Sequence, residues 1–197
     1  MIVLGLTGNI GCGKSSVSNI FIENNIDVVD ADIVARQIFD DKDLLNKVFS
    51  TFGDTIKNAD GTLNRKALGN IVFGDDEKLT ELNNLTHPQI KENILAEVLE
   101  YKNQGKKIVV IDAALLIEDD YLPHIDKLLL VTCKKDIQIE RIKNRDNCTE
   151  EEAVSRINSQ MSQEDKSKFA DYIIDNSGSP EELKQKVLEF INVLQGE

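Results

Sequence analysis

"LTGNIGCGKSSV", Leu6–Val17, lies between an apolar run, "MIVLGL" (Met1–Leu6), and a stretch in which Val17, Ile20 and Phe21 recur at helical spacing. Gly8, Gly11 and Gly13 add nothing to a core, so the segment bends backbone around something. It meets the pattern G-x-x-x-x-G-K-[ST] through Gly8, Gly13, Lys14 and Ser15, in the required place between a strand and a helix. Glycines let successive N–H groups converge on an anion, and the helix N-terminus adds partial positive charge. The loop is therefore expected to cradle a nucleoside triphosphate through Gly8, Gly11, Cys12, Gly13, Lys14, Ser15 and Ser16. Lys14 reaches the β- and γ-phosphates, and the Ser15 hydroxyl is the expected Mg²⁺ ligand.

Working outward, four further apolar runs read as strands: "IDVVDAD" (Ile26–Asp32), "KKIVVIDAALL" (Lys106–Leu116), "KLLLVTC" (Lys127–Cys133) and "ADYIIDN" (Ala170–Asn176). Continuous apolar strands separated by helices indicate an α/β fold with a five-stranded parallel sheet flanked by helices on both faces. The stretches 33–104 and 134–168 are too long for simple crossovers, and read as helical excursions from the edge where such sheets bind ligands. Within the first, "LNRKALGNIVF" (Leu63–Phe73) and "HPQIKENILAEVLEYKNQG" (His87–Gly105) have helical periodicity, the second with Pro88 near its start and Gly105 past its end. Ser179 and Glu182 form the capping pattern of a closing helix, Ser179–Leu194.

A length of 197 residues, 41% hydrophobic and 29% charged, fits one soluble domain, residues 1–197. A net charge of −12 argues against nucleic acid or an anionic membrane surface as partner, but not against a small anionic ligand held by local residues. No apolar run approaches the roughly 20 residues that cross a bilayer. Cys12, Cys133 and Cys148 lack CxxC or CxxH spacing, so they read as reduced thiols of a cytosolic chain rather than a zinc site or a disulfide framework.

No N-K-x-D base-reading motif of a GTPase is present, and a kinase acting on a small molecule or nucleotide is the reading that is left. Such a kinase needs an acceptor site, a group that orients or deprotonates the acceptor hydroxyl, and cations around the transferring phosphoryl. Asp30 and Asp32, at the end of the second expected strand, are candidates for base or Mg²⁺-directed carboxylate, and share a face if the strand persists to Asp32. Either could instead cap the helix that follows. Arg36, one turn on, can pair with these acids or meet an anionic substrate. Arg141 and Arg145, with Gln138, fall on one face of a helix in the second excursion. Arginine forks suit phosphate oxygens, although this stretch is also rich enough in charge to be a solvated face. Asn176, after the last strand, is placed to approach the adenine or to form a plain strand-to-helix turn.

The blocks "LTGNIGCGKSSV", "VVDADIVAR", "LNRKALGNIVF", "LNNLTHPQI", "LLIE", "QIERIKNRDNCTEEEAVSRINSQ" and "ADYIIDNSGS", in that order, resemble the dephospho-CoA kinase family over essentially the whole chain. Asn9, Cys12, Ser16 and Ala114 depart from residues common in that family, outside the Gly13-Lys14-Ser15 core. The resemblance implies transfer of the ATP γ-phosphoryl to the ribose 3′-hydroxyl of dephospho-CoA, the last step of coenzyme A synthesis. It implies Asp32 as base, Lys14 and Arg141 as catalytic cations, and Arg145 on the nucleotide. It also implies an acceptor-binding region matching 33–104, with Arg36 and His87, and a lid around Arg141. Another kinase on the same scaffold, or a nucleotide-binding regulator without turnover, are the competing readings.

Overall fold

In the computed structural model, which describes residues 1–196, the opening apolar run becomes β1 (Ile2–Gly8). There follow α1 (Lys14–Glu23), β2 (Asp27–Asp30), α2 (Ala31–Gln37), α3 (Lys42–Phe52), α4 (Arg65–Val72), α5 (Asp76–Asn103), β3 (Ile108–Asp112) and β4 (Lys127–Thr132). Then come α6 (Lys135–Asp146), α7 (Glu150–Asn158), α8 (Gln163–Ser167), β5 (Tyr172–Asp175) and α9 (Pro180–Gly196). The strands form one parallel sheet of order β2-β3-β1-β4-β5, as the apolar runs imply.

The chain divides into two compact units, one of Met1–Asp30 with the chain from Val98 onward, the other of Ala31–Glu97. In the first, the sheet and its helices enclose a core that includes Leu4, Leu6, Val17, Phe21, Leu129, Val131, Val187 and Phe190. Leu4, Leu6 and Leu129 are fully buried, each contributing about 1.5–3 kcal/mol relative to exposure. Phe190 of α9 meets Tyr172 edge-on at 4.9 Å between ring centroids, tying the closing helix to the edge strand. The second unit packs α3, α4 and the early part of α5 around Val48, Phe49, Ile56, Leu68 and Val72.

Parallel register collects chemistry at one edge of the sheet. Gly8 is paired with Val131, Leu6 with Asp112, Asp112 with Asp30, and Thr132 with Asp175. Four boundaries differ from the sequence reading. β1 runs through Thr7 and Gly8 into the glycine loop, because both residues keep partners on β4. β2 stops at Asp30, its last residue paired with β3, so Asp32 sits in the first turn of α2 and does not share a strand face with Asp30. There the helix dipole favours an acid. β3 is confined to Ile108–Asp112, and Ala113–Leu116 leave the sheet. His87 and Pro88 do not open a helix but lie inside α5. Leu79, Leu82 and Leu85, packed against the second core, carry that helix through the proline, whose interior cost is about 3 kcal/mol.

The end signals hold. Gly105, at φ 73°, closes α5 with Gly105 N–H donating to Lys102 O and Lys106 N–H to Tyr101 O, a Schellman pair. Ser179 and Glu182 exchange the two bonds of a capping box at α9. The charged stretch 134–168 resolves into α6, α7 and α8, broken first at Asn147 in left-handed conformation and then between Asn158 and Gln163.

Candidate active site

The loop between β1 and α1 is shaped by left-handed backbone at Gly11 (φ 80°) and Gly13 (φ 85°). A Cβ at Gly11 would stand 2.9 Å from Gln138 O, and one at Gly13 would strike the Asn176 amide. Glycine is thus required at both places by conformation and by space. Gly13 is the N-cap of α1 and supplies no capping side chain. The N–H groups at that end are left to an anion. The Ser15 and Ser16 side chains there are exposed.

Side chains from distant segments fix the loop. Asn9 Nδ2 donates to Met161 O (2.8 Å), Ile10 N–H to Gln160 Oε1 (2.9 Å), and Gln138 Nε2 to Ile10 O (2.7 Å). Buried Asn176 donates through Nδ2 to Cys12 O at 2.8 Å. Loop shape therefore depends on β5, on α6 and on the segment after α7.

Lys14, the first residue of α1, places its ammonium on Asp112 Oδ1. The Asp112 side chain is 3% exposed at the end of β3. Burial pushes its carboxyl above the usual carboxylate range against the opposing pull of Lys14 and the Ser18 hydroxyl, and the Asp30 charge pushes the same way as burial. The site thus holds a carboxylate that depends on a cation. Sequence reasoning missed Asp112: that an acid ends a buried strand was legible, but that this strand lies beside the loop-bearing one comes from register.

Arg141 on α6 completes the cationic surroundings. Its guanidinium lies beside Cys133 and near Gly13, and its buried Nη1 has no hydrogen-bond partner among the described residues. An unpartnered buried guanidinium N–H close to a phosphate-binding loop fits an anionic ligand group. Arg145, one turn on, instead commits its fork to Asp146, with Nε to Oδ1 at 2.7 Å and Nη2 to Oδ2 at 2.9 Å. Its side chain is 59% exposed. Arg156 also turns to Asp146, whereas Gln160, four residues later, holds the glycine loop.

Asp32, Arg36 and His87 belong to the second unit. Asp32 is exposed in the first turn of α2. Arg36 is exposed in its last turn, where its carbonyl accepts from Arg65 Nη2 at 2.7 Å. His87 is exposed on α5. Among the described residues no group of three or more His, Cys, Asp or Glu side chains is set to hold a metal, and no helix is long and apolar enough to cross a membrane.

Comparison with known proteins shows what the whole chain is similar to. The family model described as dephospho-CoA kinase (CoaE) matches residues 2–182. A dephospho-CoA kinase of Listeria innocua is 42% identical over 189 residues, covering 95% of this chain and 94% of that protein. A dephospho-CoA kinase structure from Campylobacter jejuni superimposes with a TM-score of 0.70 at 28% identity, covering 98% of this chain and 96% of the other. A crystal structure of TT1252 from Thermus thermophilus gives 0.83, also at 28% identity, over 98% and 97% of the two chains.

Proposed function

The chain belongs to the dephospho-CoA kinase family, and from that premise we propose how its residues divide the transfer of the ATP γ-phosphoryl to the ribose 3′-hydroxyl of dephospho-CoA. This transfer gives CoA and ADP and is the last step of coenzyme A synthesis. The observation that carries the assignment of roles is the cationic end of the glycine loop. There Lys14 rests on Asp112, and Arg141 keeps a buried N–H without a partner.

The loop from Gly11 through Cys12, Gly13, Lys14 and Ser15 to Ser16 receives the phosphates on its backbone N–H groups, of which those of Cys12 and Ser16 are held within the loop by Asn9 O and Gly13 O at 3.0 Å, and Gly8 lets β1 lie close against Val131 of β4 where the loop begins. Lys14 moves from Asp112 to the β- and γ-phosphates when nucleotide binds. Arg141 directs its open N–H to the transferring group, where charge spreads over the equatorial oxygens. Arg145 supports the nucleotide side if it exchanges Asp146 for an anionic partner, and Asn176 keeps Cys12 turned correctly beside the adenine end.

Mg²⁺ has hard oxygen donors here in the Ser15 hydroxyl and in Asp112, the carboxylate that Lys14 releases. Mg²⁺ typically takes one or two carboxylates plus substrate phosphates and water, not an all-protein cage, which suits this donor set. When bound, the ion would supply neutralisation of the charge that develops on the transferring phosphoryl.

Asp32 orients the acceptor hydroxyl and takes its proton. Its place two residues beyond Asp30, the partner of Asp112 in the sheet register, supports this role. Region 33–104, with Arg36 and His87, receives the acceptor, and region 134–168 is the lid that excludes water from the reacting phosphoryl. The reaction belongs to the cytosol, within the single kinase domain 1–197.

The test is ADP release with Mg²⁺-ATP and dephospho-CoA, AMP, adenosine or no acceptor. Release with dephospho-CoA alone, with CoA as product, is expected. Release with AMP instead would move the chain to nucleotide kinases, and release with no acceptor dependence would reject the acceptor assignment.

A further inference from the structure

Cys12 and Cys133 meet beneath the phosphate-binding loop, with their sulfurs 3.2 Å apart. The sheet brings them together: β1 and β4 are neighbours, Gly8 lies opposite Val131, and each cysteine follows soon after its strand ends. Both backbones are held. Cys133 N–H donates to Gln163 Oε1 at 2.9 Å, and Gln163 Nε2 donates to Cys133 O at 3.1 Å. The same Gln163 Oε1 is 3.5 Å from Cys12 Sγ, and Cys133 Sγ also lies 3.9 Å from Gly11 O. Phosphoryl transfer uses the backbone of Cys12 and no atom of Cys133, so this pairing has no part in the chemistry above.

The two sulfurs are unequal. The Cys133 thiol is held below the usual thiol range, first by the hydrogen bond it shares with Cys12 and then by the Arg141 charge, with burial and Asp175 opposing. Cys12 is pushed up by that same hydrogen bond and by burial. A sulfur inclined to be thiolate beside one that stays a thiol is the arrangement of an attacking and a resolving cysteine. A metal site is a poor fit, since no third His, Cys, Asp or Glu ligand joins them among the described residues.

We propose that Cys12 and Cys133 form a reversible intramolecular disulfide under peroxide, and that this bond pulls the phosphate loop out of its ATP-binding shape. The Cys133 thiolate attacks one oxygen of a hydroperoxide. An S–O bond forms, the O–O bond breaks, and the departing oxygen takes a proton as alcohol or water. The Cys12 sulfur then displaces the sulfenic oxygen: the S–S bond forms, the S–O bond breaks, and hydroxide leaves with the Cys12 proton as water. Two thiols have lost two electrons and two protons, and the peroxide has been reduced. A dithiol reverses the step by thiol–disulfide exchange. Cys133 is 6% exposed and Cys12 fully buried, so of the two sulfurs the Cys133 thiolate is the one nearer to solvent-borne peroxide.

A disulfide needs its sulfurs about 2.0 Å apart, so the pair must close by more than 1 Å from its present 3.2 Å. The Cys12 backbone is tied into the loop on both sides: its N–H donates to Asn9 O at 3.0 Å and its carbonyl accepts from Asn176 at 2.8 Å. Gly13 and Lys14 follow it directly, so movement of that backbone toward β4 carries them with it. Misplacing reacting groups by 1 Å costs about a hundredfold in rate.

The experiment titrates the reduced full-length protein with hydrogen peroxide, following intact mass, thiol content after denaturation, linked peptides and dephospho-CoA-dependent ADP release. Expected are a loss of about 2 Da, a fall from three free thiols to one, a Cys12–Cys133 peptide and a rate loss of about a hundredfold that dithiothreitol restores. Cys133→Ser and Cys133→Ala should lack the mass change and stay active at the same dose, while Cys148→Ser should behave as the parent does. An unchanged thiol count, a link through Cys148, or Cys133 variants as peroxide-sensitive as the parent would overturn the proposal. Mass and thiol counts do not depend on the acceptor, so they separate this proposal from the assignment of activity.

Discussion

Lys14 and Asp112 are bonded to each other across the end of the sheet, the ammonium of the glycine loop on the buried carboxylate that closes β3. The cation proposed to serve the phosphates thus has an anionic partner in the protein itself, and on the proposed division of roles nucleotide binding exchanges that partner and frees the carboxylate. Asp112→Asn should therefore lower turnover by about 10²–10³, the cost of removing one electrostatic stabiliser of the transition state. It should also raise the Mg²⁺ concentration for half-maximal rate, while a fluorescent ATP analogue still binds without metal. Turnover near that of the parent would remove Asp112 from the metal's donor set. Lys14→Ala should instead weaken nucleotide binding and transfer together.

Asp32→Asn should lower turnover by about 10²–10⁴, the range for loss of a positioned general base, while ATP binding measured by titration stays within a few-fold. Asparagine keeps the size and still favours the helix start, so the change reports on the carboxylate. Near-normal turnover would take the acceptor proton away from Asp32.

Arg141 should be intolerant of lysine. Its buried Nη1 without a partner implies a fork aimed at a ligand group, and an ammonium cannot reproduce that planar geometry. Both Arg141→Lys and Arg141→Ala should cost about 10³–10⁵ in kcat, with a smaller change in KM for ATP. Arg145→Ala, which releases an exposed pair with Asp146, should cost far less.

The loop was legible because its function is written in contiguous residues: glycine spacing, the lysine and the following serine need no tertiary knowledge. The sheet was legible because buried parallel strands read as unbroken apolar runs. Asp112 was missed because its importance comes from register, with Leu6 beside it on β1 and Asp30 on β2, and register is not local. Gln160 and Asn176 were obscured for the same reason, since each finds the loop from more than 140 residues away in sequence. Pro88 misled because local propensity yields to burial on either side of it. The Arg141–Arg145 helix face was read correctly as a face, but Asp146 and its claim on Arg145 were not weighed.

The junction of α6 and α7 should show its electrostatics in acid. Arg145, first through its hydrogen bonds and then through its charge, holds the Asp146 carboxyl below the usual carboxylate range, and Arg156 adds to this. A folded-state value below the unfolded one stabilises the fold above the unfolded pKa of about 3.9 and loses that contribution as pH falls through the depressed value. Asp146→Asn should melt below the parent at neutral pH, and the difference should shrink in melting curves taken at successively lower pH below the unfolded value of about 3.9. Because the group is solvent-facing, the effect is small; a gap that persists undiminished into acid would deny the ion pairs their role.

Lys166 offers the strongest stability test. Its side chain is fully buried, with Nζ donating to Ala114 O at 2.6 Å and lying 3.1 Å from Glu118 Oε1. Thr7 Oγ1 donates to the same Ala114 carbonyl at 3.0 Å, and Glu118 also accepts from Met161 N–H at 3.3 Å. One ammonium therefore joins α8 to the segment that leaves β3 and to the end of β1. Removing one partner of a buried pair strands the other, at a cost of about 3–5 kcal/mol when both are sequestered. Glu118 is 23% exposed and keeps its bond from Met161, so Lys166→Ala should cost nearer the lower end, about 3 kcal/mol, in urea unfolding. Lys166→Met keeps most of the packing but not the charge, and should recover only the part due to packing. Adding Glu118→Gln to Lys166→Met removes the stranded charge and should regain more. A double variant no more stable than Lys166→Met would show that packing, not the ion pair, is what α8 needs at this position.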